Sequence, residues 1–190
     1  LYCTMLISRI KSLATKFHPD IVACRRHLHM NPELSFQEFN TQKFVEEKLK
    51  EYGITNQHRL ANTGVVALIE GKNPGKKVVA LRADMDALPI VETNTVEYKS
   101  KNNGVMHACG HDVHTSSLLG VVRILNELKN EFEGTVKFIF QPGEEKLPGG
   151  ASMMIKEGVL ENPKPNSVIG QHVMPQIKAG KIGFRKGLYM

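Results

Sequence analysis

The chain is expected to fold as an α/β protein whose mixed, partly parallel sheet is flanked by helices. Three observations carry that expectation. Short β-branched apolar runs recur at residues 64–69, 78–81, 135–140 and 167–170, with the length and composition of buried strands. Stretches with apolar residues at helical spacing alternate with them, an order that favours parallel crossovers. Three of the runs end in residues able to bind a cation or move a proton, and ligands of open α/β sheets sit beyond the carboxyl ends of the strands.

The first third reads as helix: Met5 to Phe17 and Ile21 to His29 carry apolar residues at helical spacing, with an interruption near Pro19. After Asn31-Pro32, Ser35-Phe36-Gln37-Glu38 has the form of a capping box. It should open a helix with Phe44, Val45, Leu49 and Tyr52 on its apolar side, stopped by Gly53. Gly64 to Ile69 and Lys77 to Leu81 then flank a turn at Asn73-Pro74-Gly75, and the pair looks like a hairpin. A helix follows from His114 to Leu128, with Asp112 as its N-cap. Thr135 to Phe140 is a strand, Gly150 to Glu157 a helix, and Ser167 to Gly170 a last short strand.

At 190 residues the chain can bury one sizeable core, which predicts a single domain. Its 41% hydrophobic and 23% charged content is that of an ordinary globular protein. The net charge of +6 is spread thinly, with no run of like charges, and aromatics are only 6%. That pattern excludes a nucleic-acid surface, which needs a clustered basic patch. No apolar stretch is long enough for a membrane span. The start, Leu1-Tyr2-Cys3-Thr4-Met5, has neither a basic region nor a small-residue cleavage site, so no secretory signal is expected. Cys3, Cys24 and Cys109 are too widely spaced for a disulfide framework, which predicts a reducing, cytoplasmic setting.

The chemistry collects where the strands end. Val78 to Leu81 leads into Arg82-Ala83-Asp84-Met85-Asp86, Phe138-Ile139-Phe140 into Gln141-Pro142-Gly143-Glu144-Glu145, and Val168-Ile169-Gly170 into Gln171-His172. A fourth segment, Met106 to His114, packs Cys109 and three histidines directly ahead of a helix. Cys109 and His111 can turn toward one ion from an extended loop, with Gly110 letting the backbone bend. Thiolate, imidazole and carboxylate donors together suit zinc or a similar divalent ion. His107 and His114 could ligate or only support. Adjacent Glu144 and Glu145 repel each other; one can ligate while the other takes a proton from water. Asp84 and Asp86 lie on one side of an extended segment, where either could orient a ligating histidine or merely anchor a loop, with Arg82 as a partner.

These segments together resemble the M20 family of metallopeptidases, and within it the amidohydrolase branch. That branch includes hippurate hydrolases, bacterial N-acyl-amino-acid deacylases and plant auxin-conjugate hydrolases. The resemblance runs from about Arg25 onward. It rests on Arg26-His27-Leu28-His29 with Pro32-Glu33-Leu34-Ser35-Phe36, on Arg82 to Pro89, on Met106 to Asp112, on Phe140 to Glu145, and on Gly170-Gln171-His172. It implies a zinc-peptidase-like catalytic domain holding two divalent ions, zinc or manganese, with cobalt and nickel also open. Cys109, His111, Glu145 and His172 are the implied ligands, Cys109 bridging the two ions. Glu144 is implied as the general base that activates water and then protonates the leaving amine, with Asp86 supporting the ligands from behind. The implied reaction cleaves the amide of a small N-acyl amino acid to the free amino acid and a carboxylate.

A dipeptidase or aminopeptidase of the same family is the alternative among enzymes. The Cys109 loop and Asp84-Met85-Asp86 favour the amidohydrolase. A non-catalytic metal-binding fragment is the alternative outside catalysis, although a closed structural site needs no spare Glu144. A redox thiol at Cys109 is a third. The chain departs from the family at Gly143, where alanine is usual, a change expected to be tolerated. The family's catalytic domain is also interrupted by a lid or dimerisation domain and then supplies one more ligating histidine. Residues 1–190 are therefore expected to be the N-terminal part of a truncated catalytic domain. The lid, with any homodimer contact, and the C-terminal remainder would lie outside this chain, and the piece alone is expected to bind metal weakly and turn over little.

Overall fold

The computed structural model describes residues 2–184 and 186–187. Leu1 and Leu188–Met190, on which part of the expectations about the two ends falls, lie outside the described residues, as do the side chains of Tyr2 and Cys3. Helix α1 spans Tyr2–Met30 and runs through Pro19 without the expected interruption. Proline removes one intrahelical hydrogen bond and crowds the preceding turn, but side chains on both sides of it grip the same neighbour. Arg123 lies over the Phe17 ring at 4.0 Å and also pairs with Asp20. Packing along that face outweighs one missing bond. No helix among the described residues is long and apolar enough to cross a membrane.

Helix α2, Phe39–Glu51, buries Val45 and Leu49 completely, as the helical spacing predicts. The expected capping box does not form. Ser35 donates instead to Asp86, and Glu38 accepts from Thr63 and from the Gly143 amide. The open amides of α2 are met by Glu33, whose carboxylate accepts from the N–H of Asn40 at 3.2 Å and of Thr41 at 2.8 Å. A negative charge is favourable at that helix end.

Strands β1 (Gln57–Leu60), β2 (Gly64–Glu70), β3 (Val78–Asp84), β4 (Thr135–Gln141) and β5 (Ser167–Gly170) form one sheet in the order β1-β2-β4-β3-β5. β1, β2 and β4 are antiparallel neighbours, whereas β4, β3 and β5 are parallel. The sheet is thus mixed and partly parallel. The expected β2–β3 hairpin is absent, because β4 inserts between the two runs. β2 is buried on both faces over most of its length and β3 is nowhere exposed, so each needs a neighbour on either side, which a lone hairpin denies them. The connection crosses the entry to β4, where the Gly71 amide donates to the Gly134 carbonyl at 2.8 Å.

Alternation along β4 splits the core in two. Phe138 and Phe140 pack with Val65, Ala67, Leu49, Leu119 and Val122 on one face. Ile139 faces Val66, Ala80, Met154 and Val159 on the other. Helix α3, His111–Glu127, covers the first face and α4, Gly150–Lys156, contributes to the second. α3 begins at His111, ahead of the expected Asp112 cap. Its N-cap is Gly110 at φ +88°, a conformation costly for other residues, and a Cβ there would lie 2.4 Å from Val173 Cγ2. Asp112 sits instead in the first turn, buried against His29. Because β3, β4 and β5 run the same way, with Asp84 opposite Gln141 and Arg82 opposite Gly170, their carboxyl ends share one edge.

Candidate metal centre

At that edge the structure gathers the expected side chains. Cys109 Sγ lies 3.3 Å from His172 Nε2. His111 Nε2 lies 3.8 Å from Glu145 and 4.0 Å from Glu144. Cys109, His111 and His172 offer donor atoms within 4.8 Å of one another, and so do His111, Glu144 and Glu145. His111 belongs to both sets, so residues that follow β4 and β5, the loop before α3 and the first residue of α3 face one region. A cavity of about 230 Å³ opens beside Glu145, with Leu34, Ala87, Leu88 and Pro89 in its wall.

The donor chemistry fits a cation. His111 Nδ1 lies 2.8 Å from the Asp86 carbonyl, which can only accept, so that nitrogen carries the proton. In the neutral ring Nε2 then carries a lone pair, and it is buried without a hydrogen-bond partner. An unmet polar atom in the interior is costly unless something is bound to it. His172 repeats the arrangement: Nδ1 donates to the Val173 carbonyl at 2.7 Å, leaving Nε2 turned to Cys109. Burial, then a hydrogen bond to Glu145 and the charges of Glu145, Asp84 and Glu144, push the Cys109 thiol up to about 12. A divalent ion among these groups would reverse that balance and favour the thiolate.

Two aspartates set the histidines from behind. Asp86 Oδ2 accepts from Ser35 Oγ at 2.6 Å and from the Glu145 amide at 3.0 Å, while Oδ1 stands 3.3 Å from His111 Nδ1. Burial opposes ionisation of Asp86, but His111, Ser35 and the amides of Glu145 and Glu144 bring it down to about 2. Asp84 pairs with Arg82 and accepts from His114 Nδ1 at 2.7 Å. His114 Nε2 in turn accepts from the Val173 amide at 2.9 Å. Both of its nitrogens are thereby engaged, so His114 holds the backbone beside His172 and has no lone pair left for an ion. The group Asp84, His111 and His114 is better described as this hydrogen-bonded support. His107 is buried near Asp112, His111 and Asp86, and burial lowers its pKa to about 4.

Two supporting groups have no signature in the sequence. His29 Nδ1 meets Asp112 at 2.7 Å and Nε2 meets Glu92 at 3.0 Å, tying α1 to α3 and to the loop after β3. Glu38 reaches the amide of Gly143. Arg26-His27-Leu28-His29 pointed at the first segment, but nothing in the spacing marks Glu92 as its partner.

The profile of peptidase family M20/M25/M40 matches residues 80–187, a span that holds Cys109, His111, Glu144, Glu145 and His172. The N-acyl-L-amino acid amidohydrolase of Geobacillus stearothermophilus is 48% identical over 186 residues, covering 98% of this chain and 50% of that protein. The N-acetylcysteine deacetylase of Bacillus subtilis is 44% identical over 176 residues, covering 92% and 45%. Among solved structures, the Bacillus subtilis YXEP protein, described as a dinuclear metal binding peptidase from the M20 family, superposes with a TM-score of 0.85. It is 42% identical, covering 91% of this chain and 47% of that one. The chain thus spans about half the length of the curated relatives it matches. With the profile matched over more than half of its residues, the chain belongs to the peptidase family M20/M25/M40.

Proposed function

We propose that the protein to which this chain belongs is a metal-dependent amidohydrolase that releases an amino acid from its N-acyl derivative. The observation that carries this reading is the convergence of Cys109 Sγ, His111 Nε2, His172 Nε2 and Glu145 beside a second carboxylate, Glu144. Two divalent cations are the proposed occupants, zinc or manganese, with the thiolate favouring zinc. Bound there, they supply Lewis-acid polarisation of the acyl carbonyl and of an attacking water.

The chain's own residues do the rest. Cys109, His111, Glu145 and His172 hold the ions. Asp86 and the Asp84–His114 pair keep the ligands in place, which protects affinity. Glu144 is the more exposed of the adjacent carboxylates, its side chain 42% exposed against 24% for Glu145, and is free to accept the water proton. As the C–O bond forms and the amide C–N bond breaks, Glu144 passes that proton to the leaving nitrogen. The relatives named for N-acyl-amino-acid and N-acetylcysteine substrates support an acylated amino acid over an unmodified peptide. The test is release of free amino acid from a panel of N-acetyl amino acids and hippurate by the intact, metal-loaded protein. Cleavage of dipeptides with no release from the acylated panel would remove the amidohydrolase reading.

A further inference from the structure

The loop that carries Glu144 and Glu145 leaves β4 through Pro142, which has no N–H, so Gly143 offers the first amide by which it can be held. That amide donates to Glu38 Oε1 at 2.8 Å. Two residues on, the Glu145 amide donates to Asp86 Oδ2 at 3.0 Å. Glu144 therefore sits between two backbone groups pinned by buried carboxylates, with Glu38 0% and Asp86 1% exposed. The Gly150 amide closes the loop on the Gly143 carbonyl at 2.9 Å. Both pinning groups are tied to one short segment, because Ser35 donates to Asp86 and Glu38 is itself three residues further along.

Glu38 keeps its second oxygen on Thr63 Oγ1 at 2.6 Å. Burying a carboxyl is costly, and its place under this loop calls for a reason. Phe36, between Ser35 and Glu38, supplies a second restraint. Phe36 has φ +65°, rare for a bulky side chain, and Gly143 has φ +53°. A Cβ on Gly143 would lie 2.2 Å from Phe36 Cε1, so the ring packs directly over Gly143. Phe36 at positive φ is a local cost that the surroundings impose, and such costs concentrate at functional sites.

We propose that Glu38 is a positioning residue of the hydrolytic centre: it anchors the Gly143 amide while Phe36 packs on Gly143, and together they fix the loop from which Glu144 and Glu145 project. The proposal rests on the roles given above to Glu144 and Glu145. Glu38 acts through the loop and touches neither substrate nor ion.

The test uses the intact protein, metal-loaded for kinetics and metal-stripped for hydrogen exchange. In Glu38→Gln the side-chain oxygen still accepts from Gly143, and turnover stays within about threefold of wild type. In Glu38→Ala the amide loses its partner. Here kcat falls roughly ten- to a hundredfold with KM and metal stoichiometry unchanged, and the amides of residues 143–145 exchange faster by a similar factor in the metal-stripped protein. An equal loss in Glu38→Gln contradicts anchoring by a hydrogen bond. Protection lost across the whole sheet, with metal content falling alongside, marks a merely structural role and overturns the proposal. Should Glu38→Ala not fold, Phe36→Ala decides: removing the ring lowers kcat about tenfold and speeds exchange at residues 143–145 with metal stoichiometry unchanged, and unchanged kcat with unchanged exchange contradicts the proposal. Full kcat in Glu38→Ala sinks the proposal alone, whereas full turnover in Glu144→Gln removes the reading beneath it.

Discussion

The imidazole of His29 and the carboxylate of Asp112 lie 2.7 Å apart although 83 residues separate them in the chain. His29 Nε2 meets a second carboxylate, Glu92, at 3.0 Å. Carboxylates only accept, so both ring nitrogens must donate and His29 is an imidazolium. Arg25 and the edge of the Tyr98 ring complete its surroundings, with buried His107 nearby. The hydrogen bond to Asp112 raises the His29 pKa above its ordinary 6.5, burial opposes this, and Glu92 adds to it.

A pH dependence of stability follows. A histidine whose folded pKa is raised contributes fully below the unfolded value of 6.5 and loses that contribution as pH rises through the folded value. Urea midpoints of the intact protein should fall on the alkaline side of that window. In His29→Gln the alkaline fall should flatten while stability drops by about 3 kcal/mol, because two buried carboxylates lose their cation. A midpoint that climbs as pH rises through this range would show that His29 is neutral in the folded protein.

Replacing Glu144 by Gln should abolish the proton transfer and leave the ions in place. The expected loss in kcat is about 100- to 10,000-fold, with metal content by atomic absorption equal to wild type. Unchanged turnover would remove Glu144 from the base role.

Asp86→Asn should act through affinity. The carboxylate beside His111 Nδ1 and under the Glu145 amide is replaced by a neutral group that cannot serve both. Metal dissociation constants measured by competition with a chelator should rise about 10- to 100-fold. An unchanged constant would reduce Asp86 to a loop anchor.

Lys137 lies under 2% exposed in the middle of β4, on the opposite face from Phe138. Its Nζ donates to the carbonyls of Val159 at 2.8 Å and Glu161 at 2.6 Å, and burial lowers its pKa. Lys137→Met should cost about 1–3 kcal/mol by stranding those carbonyls. Metal affinity should not move, since the side chain reaches away from the strand-end loops. A drop in affinity without a drop in stability would place Lys137 in the centre instead.

Much of the site was legible because its chemistry follows apolar runs that fold into parallel strands. Cys109, His111, Glu144, Glu145 and His172 stand next to such runs or open α3, so the shared edge could be anticipated. The sheet order could not. β2 and β3 are joined by a short turn, and local proximity suggested a hairpin; their two-sided burial, supplied by a strand more than fifty residues later, decided otherwise. β1 was missed because Gln57-His58-Arg59-Leu60 is a polar edge strand with no apolar alternation. Ser35 and Glu38 imitate a capping box in spacing, yet Glu38 bonds to Gly143, 105 residues away. Supports of this kind leave no local trace, because their partners are set by the assembled fold.

The most direct test of the account is anomalous diffraction from crystals of the intact protein grown with zinc or manganese, collected at the metal absorption edge. Peaks within about 2.0–2.3 Å of Cys109 Sγ, His111 Nε2, His172 Nε2 and a Glu145 oxygen are the expected result. Density bound elsewhere, with these four side chains turned away from it, would contradict the account.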